Sequence, residues 1–446
     1  MTSRLSRTLL AFALTALLTP AAHADAPTGP AASADIRAKD TFDIVWARLQ
    51  SSGFKGEHEQ LDWATLKAEH QPDIENAKDI AALRREINEL LQDLRASHLV
   101  LIPAEAMPQA GKPFEVGNGE LGMRLTIVDG RFLVEQVIDG FPAQRAGIRP
   151  GWVVERIGDF DAVSTLTSLS KASPDAARRG STMLQLHAND LVDAVSPGAR
   201  IALQLRDLAG ETRDLSLTAV ANPDIQTVSL PGLPPMPLRF TQRKLSARDG
   251  DCVLYVEFNQ WAMPVYDRFV AALREHGGCR GVVIDLRGNS GGLMASMSAV
   301  GGLFFDKPVS LGTLITSGGD LRLTALPRQV TDDGRDVRRF SGPLAILTDR
   351  ASVSCSDMFP AGMQALQRAR IFGDTSAGMA LPAGVAPLPS GDRLMYPMAD
   401  YVDAKGRRIE SIGVIPDAPS APTAAALRAG RDPALDAALA WIGEAQ

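Results

Sequence analysis

Cysteine, histidine, aromatic residues and long apolar runs are all scarce in this chain. Of its 446 residues, three are cysteine and 5% are aromatic. Three thiols cannot all pair within one chain, so at most one disulfide can form inside it. No Cys/His spacing has the pattern of a metal site, and no cofactor motif is present. Beyond the first two dozen residues, no segment is apolar over the roughly 20 positions that a bilayer crossing needs. The formal net charge is −6, with 46 basic and 52 acidic residues. That balance argues against nucleic acid as a partner. Pairs such as "RR" at 84–85, 338–339 and 407–408 read as solvated faces.

What is present begins with an export pattern. Arg4 and Arg7 precede "TLLAFALTALLTPAA", and a small-x-small "AHA" ends at Ala24. A basic start, a short apolar centre and small residues at the end mark a secretory signal peptide, 1–24, cleaved before Asp25. No cysteine follows that apolar centre, so a lipid anchor is not indicated. The expected mature chain is soluble, and periplasmic or secreted. The stretch "APTGPAASA" at 26–34 is expected to be a disordered N-terminus.

Three units follow. Residues 25–105 are helical, with Leu83, Ile87, Leu90, Leu91 and Leu94 at three- and four-residue intervals. The helix gives way at "RASHLVLIP" to a strand-like run. Residues 113–222 alternate in strand fashion around Gly/Pro turns, with a helical insertion at about 163–195. Residues 223–446 alternate strand and helix: "CVLYVEF", a helix, "GVVIDL", a helix, "PLAILTD", then a helix after 355. This order predicts a mainly parallel sheet covered by helices, an α/β core. Cys252 and Cys279 each precede one of these strands, and would lie at the same end if the strands are parallel neighbours. Whether the strands are neighbours, and the cysteines bonded, is open at this level.

Functional groups of a parallel sheet gather in loops at the carboxyl ends of strands. Two such loops stand out. "IDLRGNSGG" carries Gly288, Gly291 and Gly292, which are either a tight turn or a cradle of backbone N–H groups. It lacks the lysine and spacing of a phosphate loop. "TDRASVSCSDMFPAGMQAL" places Ser352, Ser354 and Ser356 between a strand and a helix. A serine there meets the positive end of the helix, as a nucleophile or as a plain helix cap. A nucleophilic serine needs a base, and only His58, His70, His98, His187 and His276 follow residue 24. His98 alone stands where a helix changes to a strand, next to Ser97.

These segments, in this order, resemble the serine peptidase family of carboxyl-terminal processing proteases and the tricorn protease core. "LLQDLRASHLVLIP" is similar to the family's helical N-terminal region. "ELGMRL" with "FPAQRAGIRPGWVVERIG" resembles a PDZ domain, and the two loops above resemble the central catalytic motifs. The resemblance implies a multidomain α/β protein. It would join a helical N-terminal domain supplying Ser97 and His98, a PDZ-like β domain and a catalytic core of the ClpP/crotonase-like type. One branch of the family pairs its serine with a lysine, but that position falls here on Met379. No lysine lies between Ser354 and Lys405. The tricorn-like branch pairs its serine with a serine–histidine unit and a glutamate, which correspond to Ser97, His98 and Glu410 of "IESIGVIPD".

On that resemblance Ser354 is the nucleophile, His98 its base, and Glu410 with Ser97 the support of the imidazole. Backbone N–H groups of Cys355 and of Gly291 or Gly292 would form the oxyanion hole, with Ser356 as helix cap. Leu121, Gly122 and Met123 would hold a peptide carboxylate, the peptide adding as an edge strand. Trp152, where the family has aspartate, departs from the pattern, and the insertion at 163–195 could cover the groove. The expected function is an exported serine peptidase acting on unfolded or C-terminally exposed polypeptides. An oligomer or an activating partner is left open. The alternative is an inactive protein of the same fold that binds peptides or an apolar ligand. An esterase or amidase would use the same triad, but the peptide groove counts against it.

Overall fold

This computed structural model describes residues 37–51, 61–109, 116–246, 251–331 and 334–444. The expected signal segment and the stretch at 26–34 lie outside the described residues. No helix among the described residues is long and apolar enough to cross a membrane.

Three helices, α1 (Ala38–Ser51), α2 (Trp63–Glu75) and α3 (Ile80–Asp93), form the N-terminal unit. In α3 the spacing of Leu83, Ile87, Leu90 and Leu91 turns all four inward, and Asp79 caps the first turn by accepting the Ala82 N–H at 2.7 Å. These residues share one apolar cluster with Phe42, Trp46, Leu388 and Leu394. The cluster therefore reaches into the far end of the chain. Strand β1 (Val100–Ile102) makes the same connection through its backbone. It pairs antiparallel with Arg393–Pro397, Val100 facing Met395. The helical unit is thus joined to the core by both a sheet and an apolar seam.

The second unit is a five-strand path, β2 (Met123–Val128), β3 (Arg131–Val137), β4 (Val153–Ile157), β5 (Arg200–Arg206) and β6 (Thr212–Thr218), in that spatial order. Between β4 and β5 the expected insertion is two helices, α4 (Ala162–Leu169) and α5 (Pro174–Asp193). The proline-rich segment that follows is ordered: Gln226–Val228 pairs with Met236–Leu238.

The third unit is a six-stranded sheet. Its order is β7 (Phe240–Ser246), β8 (Cys252–Phe258), β9 (Gly281–Asp285), β10 (Leu344–Thr348), β11 (Arg370–Gly373) and Ala418–Pro419. Only the β7–β8 pair is antiparallel. Helices α6 (Met263–His276), α7 (Met294–Gly301) and α8 (Cys355–Ala365) follow β8, β9 and β10. A last helix, Pro433–Glu444, buries Ala434, Ala438 and Ile442 on the sheet's other face. Because β8 and β9 are parallel neighbours, Cys252 and Cys279 meet at one end and are disulfide-bonded. The loops after β9 and β10 consequently sit side by side at the opposite, carboxyl end.

Candidate active site

Ser354 occupies the junction between β10 and α8 as the residue preceding the helix. Its backbone has φ 59° and ψ −116°, outside the wells that a non-glycine residue normally fills. Such a conformation costs on the order of 1–3 kcal/mol and persists only where its surroundings impose it. Here Val353 donates its N–H to the Asn289 carbonyl (3.0 Å), and Ser354 donates its own to the Met379 carbonyl (2.9 Å). The neighbouring loop is fixed to the same frame. Asn289 donates through Nδ2 to the Phe258 carbonyl (2.7 Å), while Trp261 bonds Gly291 and Leu293 at 2.7 Å each.

The adjacent glycines Gly291 and Gly292 have different tasks. A Cβ on Gly291 would lie 2.5 Å from Ser354 Cβ, so only a glycine lets the loop approach the serine. Its N–H, however, is donated to Asn289 Oδ1 at 2.9 Å. That corrects the expectation that Gly291 supplies the oxyanion donor. Gly292, at φ 136°, lies against the Trp261 carbonyl, which a Cβ would meet at 2.3 Å. Cys355 is the first residue of α8, where an N–H has no acceptor within the helix. Its thiol is buried, bonds the Gly292 carbonyl at 3.2 Å, and is pushed up to about 12 by burial. Ser356 does not cap the helix. It is fully buried and its Oγ accepts from Trp261 Nε1 at 2.9 Å.

Ser97 and His98 reach this end of the sheet from the N-terminal unit. His98 also has a left-handed backbone, φ 59°. Its Nδ1 lies 2.8 Å from Ser97 Oγ, and Ser97 Oγ donates to Glu410 Oε2 at 3.1 Å. A hydroxyl has one proton. With that proton directed to a carboxylate, Ser97 must accept from His98 Nδ1–H, which leaves Nε2 as the unprotonated nitrogen. Glu410 also accepts the Ser97 N–H (3.2 Å) and the Ala380 N–H (2.7 Å). Burial nevertheless raises the Glu410 carboxyl to about 7, and lowers His98 to about 4. The imidazole is therefore neutral at neutral pH.

One short segment joins the two halves. Met379 accepts the Ser354 N–H through its carbonyl, and the next residue, Ala380, donates to Glu410. The structure thus brings Ser354, Cys355, Gly291, Gly292, Ser97, His98 and Glu410 into one hydrogen-bonded neighbourhood. Sequence reasoning missed the organising parts: Asn289, Trp261 and the backbone of 379–380. Asn289 lies inside the glycine motif and was within reach; Trp261 carries no local signal.

Leu121, Gly122 and Met123 are elsewhere, in the second unit. The Leu121 N–H is donated to the Val192 carbonyl of α5 (2.8 Å), so it does not point at an incoming carboxylate. Gly122, φ 76°, lies tight against Phe141, whose Cβ a side chain would meet at 2.0 Å. Along the outer edge of β2, Asn189 of α5 accepts the Leu125 N–H and donates to its carbonyl, each at 2.9 Å. Gln185 accepts the Ile127 N–H at 3.3 Å. The edge expected to receive a peptide is bonded by the protein's own helix. Trp152 is part-buried against the second unit's apolar cluster, which includes Leu121, Met123 and Leu125, and its carbonyl accepts the Val134 N–H.

Residues 252–420 match the model of peptidase family S41. A carboxyl-terminal-processing protease of Picosynechococcus is 25% identical over 236 residues, covering 52% of this chain and 55% of that protein. The chloroplastic carboxyl-terminal-processing peptidase 2 of Arabidopsis thaliana is 28% identical over 284 residues, 63% of this chain and 48% of that one. A tricorn protease homologue of Streptomyces coelicolor is 24% identical over 396 residues, 85% of this chain and 30% of that one. The chain therefore spans about half the length, or less, of these relatives. Among solved structures, the photosystem II D1 C-terminal processing protease superposes with TM-score 0.55 at 20% identity, covering 90% of this chain and 96% of that one. Mature CPAF superposes with TM-score 0.57 at 14% identity, covering 91% and 97%. These two share the multidomain α/β fold, with its helical N-terminal region and mixed sheets. The likeness to peptidase family S41 thus lies in residues 252–420, the unit that carries Ser354 and Glu410.

Proposed function

We propose that the protein is a serine peptidase that hydrolyses peptide bonds in unfolded or C-terminally exposed polypeptides. The observation that carries this reading is the bonded series His98–Ser97–Glu410, joined through Ala380 and Met379 to Ser354. His98 Nε2 takes the Ser354 Oγ proton as the oxygen attacks a peptide carbonyl. The charge that develops on the carbonyl oxygen is held by the N–H groups of Cys355 and Gly292, aided by the positive end of α8. Collapse releases the amine, which receives the proton from His98. Water then attacks the acyl-enzyme by the same steps in reverse. Glu410 and Ser97 keep the imidazole in the tautomer this sequence of transfers requires.

In this reading the core is of the ClpP/crotonase-like type and the second unit is PDZ-like. With α5 bonded along β2, that unit serves as a lid and clamp rather than an open peptide groove. The basic and apolar start of the sequence supports export to a periplasm or the exterior. The test compares the mature chain with its Ser354→Ala variant on an unfolded protein, with products read by mass spectrometry. Fragments from the unmodified chain alone are expected. Equal fragmentation by both would remove Ser354 from the mechanism.

A further inference from the structure

Asp357 lies at the third position of α8, three residues after Ser354, and is fully buried. Four donors converge on its carboxylate. Oδ2 accepts the N–H of Ser354 and the N–H of Met379, each at 3.1 Å. Oδ1 accepts the Gly378 N–H at 2.9 Å and the hydroxyl of Ser376. Among the described residues, no cation is ion-paired with it. Backbone dipoles and one hydroxyl hold its charge instead, against a burial that raises its carboxyl to about 6.

The placement of these donors matters more than their number. The Ser354 N–H is shared between Asp357 Oδ2 and the Met379 carbonyl, which pins the residue in its strained conformation. Three successive N–H groups then divide between two carboxylates: Gly378 and Met379 point to Asp357, and Ala380 points to Glu410. Asp357 therefore fixes the nucleophile and the segment that carries Glu410, and through Glu410 the Ser97–His98 arm, as one unit.

We propose that Asp357 is a positioning residue that sets Ser354 against His98 by clamping residues 376–379 to the start of α8. The inference rests on Ser354 and His98 being the reacting pair. Asparagine at 357 has one acceptor oxygen and an NH2 group. It must turn that donor toward two of the four donors, so the clamp opens on one side whichever way the amide lies. Glutamate keeps both oxygens and is itself a good partner at this helix position.

The experiment measures kcat and KM for fluorescein-labelled unfolded casein with the full mature chain, Ser354→Ala, Asp357→Asn and Asp357→Glu. The expected loss in kcat for Asp357→Asn is about 10²-fold, the size seen when one well-placed donor is removed from such a site. KM should change little, and Asp357→Glu should recover most of the loss. If the unmodified chain does not cleave, or Ser354→Ala cleaves equally, the peptidase reading fails and not this inference alone. If Ser354→Ala is inactive while folded Asp357→Asn matches the unmodified chain, the positioning role is overturned. A fall confined to KM, or a loss that glutamate does not restore, overturns it as well. Should Asp357→Asn not fold, Ser376→Ala decides. It removes one donor to Oδ1 and should lower kcat by about fivefold, the equivalent of one hydrogen bond; an unchanged kcat overturns the proposal.

Discussion

The carboxyl end of the core sheet and the outer edge of β2 are both places where a polypeptide could bind, and the chain treats them in opposite ways. At the core, Ser354 and His98 are held with positive φ, and the Glu410 carboxylate is buried. Each arrangement is unfavourable alone and is maintained by its neighbours. At β2 the backbone groups of Leu125, which an edge strand would ordinarily offer, are taken by Asn189. Strain is retained where chemistry is needed, and satisfied hydrogen bonds where association would otherwise occur.

The two regions are nevertheless connected. Gln185 of α5 accepts from Ile127 on β2 and donates to Asp349 Oδ2 at 2.7 Å. Asp349 in turn accepts the Gly288 N–H and lies at the start of the loop to Ser354. Met183 and Leu186 of the same helix rest on Val353, Ala377 and Met379. A helix that covers one region therefore braces the other.

The contrast can be broken most severely at the glycine loop. Gly292→Ala forces a Cβ against the Trp261 carbonyl and would shift the proposed oxyanion donor, so kcat should fall about 10²- to 10³-fold. Unchanged turnover would show that the donor lies elsewhere. A second test uses pH. Glu410 loses its charge as pH falls through about 7 while the buried His98 stays neutral down to about 4, so kcat/KM should decline with the Glu410 charge, and that decline should vanish in Glu410→Gln. Its raised value also has a sign for stability. Ionising Glu410 in the fold is costlier than in the unfolded chain, so its unfavourable contribution grows as pH rises from the usual carboxylate range through about 7. Glu410→Gln should accordingly gain in melting temperature relative to the unmodified chain between pH 5 and pH 8, while losing activity throughout. The opposite trend would mean that the buried carboxylate is stabilised as the anion. The smallest effect is expected at the covered edge. Asn189→Ala frees both backbone groups of Leu125, costing about 1–2 kcal/mol of stability and exposing the edge to an added peptide strand. Peptide affinity unaltered by this change would mean that α5 does not guard β2.

Much of the core was legible in the sequence because its signals are local. Strand–helix alternation, the serine at a strand–helix junction and the glycine loop each occupy a few consecutive residues. Ser97 and His98 were legible only as a pair at a change of periodicity. What brings them to the core is the pairing of Val100 with Met395, which are far apart in sequence, and no local pattern encodes it. Asp357 gave no such signal: three of the four donors around it arrive from residues 376–379 only in the folded state. The assignment of Gly291 as a donor failed for a similar reason. Which N–H a glycine loop presents depends on side chains such as Asn289 that turn back on it. At β2, the helical character of 163–195 was readable, but not that Asn189 would meet both backbone groups of Leu125.

The most direct test of the account is covalent labelling of the nucleophile with a fluorophosphonate, followed by mass spectrometric location of the adduct. The unmodified chain should carry the label on Ser354, and His98→Ala should slow the labelling by about 10³-fold or more. Labelling of Ser352 or Ser356 instead, or an equal rate without His98, would contradict the pairing of Ser354 with His98.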